Sequence, residues 1–89
     1  MKVLIADDDA VSRMMLARSL RQMGYEVLPV NNGREALREL CRADGPRLAL
    51  LDWMMPEMDG PQVCTQVRAA GLEKYTYLAL LTSRGSPED

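Results

Sequence analysis

The chain has 89 residues, of which 47% are hydrophobic and 27% charged, and its formal net charge is −2. That suits one small domain burying only roughly 60% of its unfolded surface, and it excludes both a disordered tail and the basic stripe a nucleic-acid surface needs. With no His and only Cys41 and Cys64, Cys/His zinc sites and His-assisted nucleophiles are excluded as well.

Lys2 to Ala6, "KVLIA", is β-branched and aliphatic and predicts a buried strand. Asp9 is placed to cap the helix that follows. Val11, Met14, Met15, Leu16, Leu20 and Met23 give that helix a wide apolar stripe, stopped at Gly24. Glu26 to Val30, "EVLPV", predicts a second strand, and its Pro29 predicts a sheet edge, where a missing amide does no harm. Asn32-Gly33 opens a second helix with Ala36, Leu37, Leu40 and Cys41 on one face. Arg47 to Leu51 reads as a third strand ending on Asp52. After the turn "MMPEMDGP", a third helix carries Val63, Cys64 and Val67 and stops at Gly71. Thr76 to Leu81 reads as a fourth strand ending on Thr82. Both cysteines and most of the seven methionines fall at apolar helix positions and are expected to fill the core, while Met54, Met55 and Met58 of the turn are expected to be partly exposed. No apolar run approaches ~18 residues, so no signal peptide or membrane span is expected, and the expected location is the cytoplasm.

The order βαβαβαβ predicts an α/β fold: a three-layer open parallel sheet with right-handed crossovers. Ligands of such sheets bind beyond the carboxyl ends of the strands, where the strand order switches direction. Asp7-Asp8, Asp52 and Thr82 all follow strand ends, so parallel strands bring three carboxylates and a hydroxyl to one edge. Oxygen ligands of this kind suit Mg²⁺, which takes one or two carboxylates and keeps waters or a phosphate oxygen. A metal offsets the repulsion among the carboxylates and leaves one able to attack phosphorus.

This constellation resembles the receiver domain of two-component response regulators. The resemblance rests on Asp7-Asp8, on Asp52, on "MMPEMDG" from Met54 to Gly60, and on Thr82 followed by the small Ser83. Asp8 and Asp52 are 44 residues apart and Asp52 and Thr82 are 30 apart, intervals that match the family. The resemblance implies a flavodoxin-like sheet with strand order 2-1-3-4, a form of the 2-1-3-4-5 order. It implies Asp52 as phosphoacceptor and a phosphohistidine on a sensor histidine kinase or phosphotransfer protein as donor. Asp7, Asp8, Asp52 and the backbone carbonyl of Met54 would bind Mg²⁺, with Asp8 direct and Asp7 through water or a hydrogen bond. Thr82 and Ser83 would take the phosphoryl-binding and switch role, and Pro56 and Gly60 would shape the loop. By the same resemblance, the side chains of Met54 and Arg84 occupy positions that in this family tune how long the phosphate survives. Direct binding of nucleic acid or membrane is not implied.

Relative to the family, residues 1–89 read as a single receiver domain incomplete at its C-terminus. The fifth strand and its Lys, which pairs with the phosphoryl group, have no counterpart here, so weaker phosphoryl transfer, or none, is expected. An open strand edge and apolar sheet face also lead to an expected homodimer, with exchange of elements as one route. Two other readings compete. One is a receiver-like interaction module that is not phosphorylated. The other is a haloacid-dehalogenase-like phosphatase, for which Asp7-Asp8-Asp9-Ala10-Val11 supplies the Asp-x-Asp-x-Val signature and Asp7 the nucleophile; it leaves Asp52 and the "MPEMDG" turn without a role.

Overall fold

The structure, a computed structural model, describes residues 1–72 and 75–81. The elements run β1 (Lys2–Ala6), α1 (Ala10–Gln22), β2 (Glu26–Val30), α2 (Gly33–Leu40), β3 (Leu48–Asp52), α3 (Gly60–Ala69) and β4 (Tyr77–Leu81). All strand pairs are parallel, in the order β2-β1-β3-β4. The order anticipated from the sequence is the one observed.

The layers follow from the crossovers. The path from β1 to β2 runs one way across the sheet, and the paths from β2 to β3 and from β3 to β4 run the other. Right-handed connections therefore put α1 on one face and α2 with α3 on the opposite face. On the α2/α3 face the strands contribute Leu4, Ala6, Val30, Ala49 and Leu51, and the helices contribute Ala36, Leu40, Val63 and Val67. Alternation along the strand turns Val3 and Ile5 to the α1 face, where both are fully buried.

Pro29 sits where its missing donor costs nothing. Glu26 N donates to Met1 O (3.0 Å), and Val30 O accepts from Asp7 N (3.2 Å). Residues 26, 28 and 30 thus bond toward β1, and residues 27 and 29 turn their amide positions outward. The ring of Pro29 occupies the free edge.

Several expectations fail. The α1 stripe is largely uncovered: Ala17 is buried and Leu16 and Leu20 are half-buried, but Met14 and Met15 are each 64% exposed, and Val11 and Met23 are exposed too. A helix that touches a sheet along one side buries a narrow strip, and among the described residues nothing packs on its other flank. With Met1 and Met54 also exposed, most methionines are not core filler. Cys41 is likewise exposed, because α2 ends at Leu40 and Cys41 is its C-cap, one step past the buried stripe; Cys64 is only half-buried. Strands β3 and β4 each begin one residue later than expected, at the rung where Tyr77 N donates to Arg47 O (2.8 Å).

Candidate functional site

The register fixes the geometry of the carboxyl edge. Ala6 lies beside Val30 and Leu51, and Asp52 lies beside Leu81. Asp7 directly follows β1, and its amide extends the ladder to Val30 O. Asp7 and Asp52 therefore leave neighbouring strands side by side, 6% and 3% exposed, while Asp8 faces solvent. One carboxylate oxygen from each of Asp7, Asp8 and Asp52 lies within 4.8 Å of the others. Two unit charges at such a separation repel by on the order of 3 kcal/mol at an effective dielectric of about 20. A hard cation held by oxygen donors offsets that cost, and an all-carboxylate donor set at a sheet edge fits Mg²⁺ better than a softer metal.

Local hydrogen bonds hold the cluster. Asp7 Oδ1 accepts from Asp9 N (2.9 Å), and Asp9 Oδ2 accepts from Ser12 N (2.8 Å) as N-cap of α1. The crowded acidic stretch is thus divided between a tight turn, a helix cap and one outward carboxylate. Arg13 Nη1 donates to the backbone carbonyl of Asp7 (2.7 Å), bringing a guanidinium to the edge of the cluster. Sequence reasoning missed Arg13; its only signal is its place in the first turns of α1. Asp52 Oδ1 accepts from Trp53 N (2.9 Å).

The loop after Asp52 folds back over the end of β3. Gly60 N donates to Trp53 O (2.9 Å), and a Cβ on Gly60 would lie 2.5 Å from Asp52 O and 2.7 Å from Leu80 Cδ2. Pro56 O accepts from Met58 N (2.7 Å) across Glu57, whose φ of 70° is left-handed. Asp59 then caps α3 through a reciprocal pair, Asp59 Oδ1 with Gln62 N (2.8 Å) and Gln62 Oε1 with Asp59 N (2.9 Å). Asp8, Trp53, Met54, Met55, Pro56 and Asp59 line an open hollow of about 520 Å³ beside the carboxylates. Asp7, Asp8, Asp52, Met54, Pro56 and Gly60 are thus gathered at one edge, whereas Thr82, Ser83 and Arg84 lie outside the described residues.

Comparison with known proteins agrees with this edge. Residues 3–89 match the family model of the response regulator receiver domain. Response regulator MprA of Mycolicibacterium vanbaalenii is 42% identical over 85 residues, covering 96% of this chain and 36% of that protein. The chemotaxis protein CheY4 of Vibrio cholerae superposes with a TM-score of 0.82 at 37% identity, over 98% of this chain and 72% of that one. The receiver domain of the sensor histidine kinase PA1611 from Pseudomonas aeruginosa, whose structure holds a magnesium ion in its active site cleft, superposes with a TM-score of 0.84 at 27% identity, over 99% of this chain and 71% of that one. The chain belongs to the response regulator receiver domain family, a family of signalling domains with a flavodoxin-like fold. It spans about a third of the length of the curated relatives it matches. Among the described residues no helix is long and apolar enough to cross a membrane.

Proposed function

We propose that residues 1–89 belong to a single receiver domain in which Asp52 accepts a phosphoryl group from a phosphohistidine on a sensor histidine kinase or phosphotransfer protein. The observation that carries this reading is the convergence of the Asp7, Asp8 and Asp52 carboxylates within 4.8 Å at the carboxyl edge. Asp7, Asp8, Asp52 and the carbonyl of Met54 are the ligands proposed for Mg²⁺. Bound there, Mg²⁺ supplies positive charge for the carboxylates and the incoming phosphoryl oxygens.

The remaining roles belong to the chain. A carboxylate oxygen of Asp52 forms the new bond to phosphorus as the donor's P–N bond breaks; the imidazole keeps the electron pair and takes up a proton. The Trp53 amide holds the other oxygen of Asp52 and orients the attacking one. Exposed Asp8 is assigned as the direct ligand, and Asp7, buried and tied to the Asp9 amide, acts through water or a hydrogen bond. The hydroxyls of Thr82 and Ser83 are assigned to the phosphoryl oxygens, and Pro56 and Gly60 to the shape of the loop. In this reading the domain is a signalling element in the cytoplasm, not an enzyme turning over a separate substrate. Repeated hydrolysis of a generic phosphate ester would point instead to a phosphatase.

The test uses Trp53, the only Trp, which adjoins Asp52. Mg²⁺ and then beryllofluoride, a phosphoryl mimic, are titrated while Trp53 fluorescence is followed, with Asp52→Asn as control. A saturable change that disappears in the control is expected. A folded chain showing no change would favour an interaction module without phosphorylation. A homodimer through the β4 edge, which pairs with no further strand among the described residues, is proposed as well, and a single monomeric species in analytical ultracentrifugation would overturn it.

A further inference from the structure

Outside the acidic cluster, a tightly constrained contact at the carboxyl edge lies between the first turn of α2 and the loop that follows β3. Gly33, the first residue of α2, meets Met58 so closely that an added Cβ would collide with the Met58 carbonyl oxygen, with its carbonyl carbon, and at 2.9 Å with its Cβ. Gly33 is buried. One residue on, Arg34 Nε pairs with Glu57 Oε1 at 3.1 Å. Glu57 holds the left-handed φ of 70° and forms the centre of the tight turn closed by Met58 N and Pro56 O. An L-residue other than Asn or Asp seldom keeps that conformation unless its surroundings impose it. Two consecutive residues of α2 thus touch two consecutive residues of the loop, at the point where the loop is strained.

The geometry points to the start of α2 as a positioning element for the metal site: Gly33, and secondarily Arg34, fix the turn at Glu57-Met58 and through it the path of residues 53–59. The inference rests on the proposed Mg²⁺ site, because Met54, whose carbonyl is assigned to the metal, lines the same hollow as Asp8, Pro56 and Asp59. The loop is pinned at one end by Gly60 N on Trp53 O and at its far turn by α2. With both held, the backbone of Met54 has little freedom to move within that hollow. The two contacts are unequal. The backbone abutment at Gly33 leaves no room for a side chain, whereas the Arg34–Glu57 pair is exposed, with side chains 67% and 51% accessible, so solvent screens most of its attraction.

The test measures two quantities in the 89-residue chain: hydrogen exchange of the amides of residues 54–60 without metal, and Mg²⁺ affinity from Trp53 fluorescence. For Gly33→Ala, exchange at Met58 and Gly60 is expected to quicken about tenfold and Mg²⁺ affinity to fall about tenfold, while exchange in β1 and β3 stays unchanged. Arg34→Ala is expected to weaken Mg²⁺ less than about threefold, with Arg34→Lys restoring part of the loss. Glu57→Gly removes both the ion pair and the strained φ. It is expected to keep or raise the thermal midpoint yet weaken Mg²⁺ about threefold, which a merely structural role would not produce, and it serves as the readout if Gly33→Ala does not fold. Unchanged loop exchange together with Mg²⁺ affinity within twofold of the parent in Gly33→Ala, or in Glu57→Gly if Gly33→Ala does not fold, would overturn the inference. Exchange is read without metal, so a parent that binds no Mg²⁺ refutes the assignment of the metal site while loop exchange still judges the clamp.

Discussion

The backbone amide of Trp53 is shared between two acceptors, Asp52 Oδ1 at 2.9 Å and the carbonyl of Leu81 at 3.2 Å. One N–H therefore ties the site carboxylate to the end of β4, the strand that leads to Thr82. A phosphoryl group on Asp52 would compete for electron density at that oxygen and shift the amide toward Leu81.

Asp52→Asn keeps the oxygen that accepts from Trp53 and removes one of three crowded charges. In EDTA the variant should be more stable than the parent by about 1 kcal/mol, a rise of roughly 4–8 °C in midpoint. Mg²⁺ at a hundred times its dissociation constant should stabilise the parent by about 2.7 kcal/mol and the variant far less. Thermal unfolding with and without Mg²⁺ checks both; a variant no more stable in EDTA would mean that the cluster carries no net repulsion.

Gly60→Ala drives a methyl into the Asp52 carbonyl and Leu80. A cost of about 2–3 kcal/mol is expected, because the nearest neighbour is backbone and cannot swing aside. Urea unfolding monitored by circular dichroism should show the midpoint fall with little change in slope.

Leu40 and Met14 separate buried from merely apolar. Leu40→Ala leaves a hole among Ala36, Val63 and Val67 and should cost roughly 2–5 kcal/mol, a large share of the stability of so small a domain. Met14→Ala, on the uncovered side of α1, should stay within about 0.5 kcal/mol of the parent.

The thiols should differ in reactivity. Burial pushes the Cys64 thiol above its ordinary value, and the Arg68 charge only partly opposes this. Cys41 is exposed. Iodoacetamide at neutral pH should therefore modify Cys41 first, and the pH profile for Cys64 should be displaced upward. The protonated Cys64 is the form the fold favours. Its contribution to stability is complete below the ordinary thiol pKa and is lost as pH rises through the raised one. Equal labelling rates, followed by mass spectrometry, would contradict this.

The sheet was legible because strand and helix periods differ and Pro29, Asn32-Gly33 and Gly71 punctuate them. The acidic cluster was legible because parallel strands must present their ends together. Coverage was not. A stripe such as Val11, Met14, Met15 shows that a face is apolar, and only the partner across from it decides whether that face is buried. Cys41 failed for a smaller reason, a helix ending one residue before the stripe did. The abutment of Gly33 on Met58 and the bond from Arg13 to Asp7 join residues far apart in sequence or on different elements, where no local pattern records the contact.

The two margins of the sheet are not equivalent. Along β2, Glu26 puts a charge on the margin and Pro29 presents no donor on the free side, so another strand finds little to bond. Along β4, "YLALL" carries neither charge nor Pro, and Tyr77 is 61% exposed. Among the described residues, strand addition is open at the β4 margin and blocked at the β2 margin. Copies joined margin to margin through β4 would close as pairs, with a terminator facing outward on each side, and would not run on into fibres.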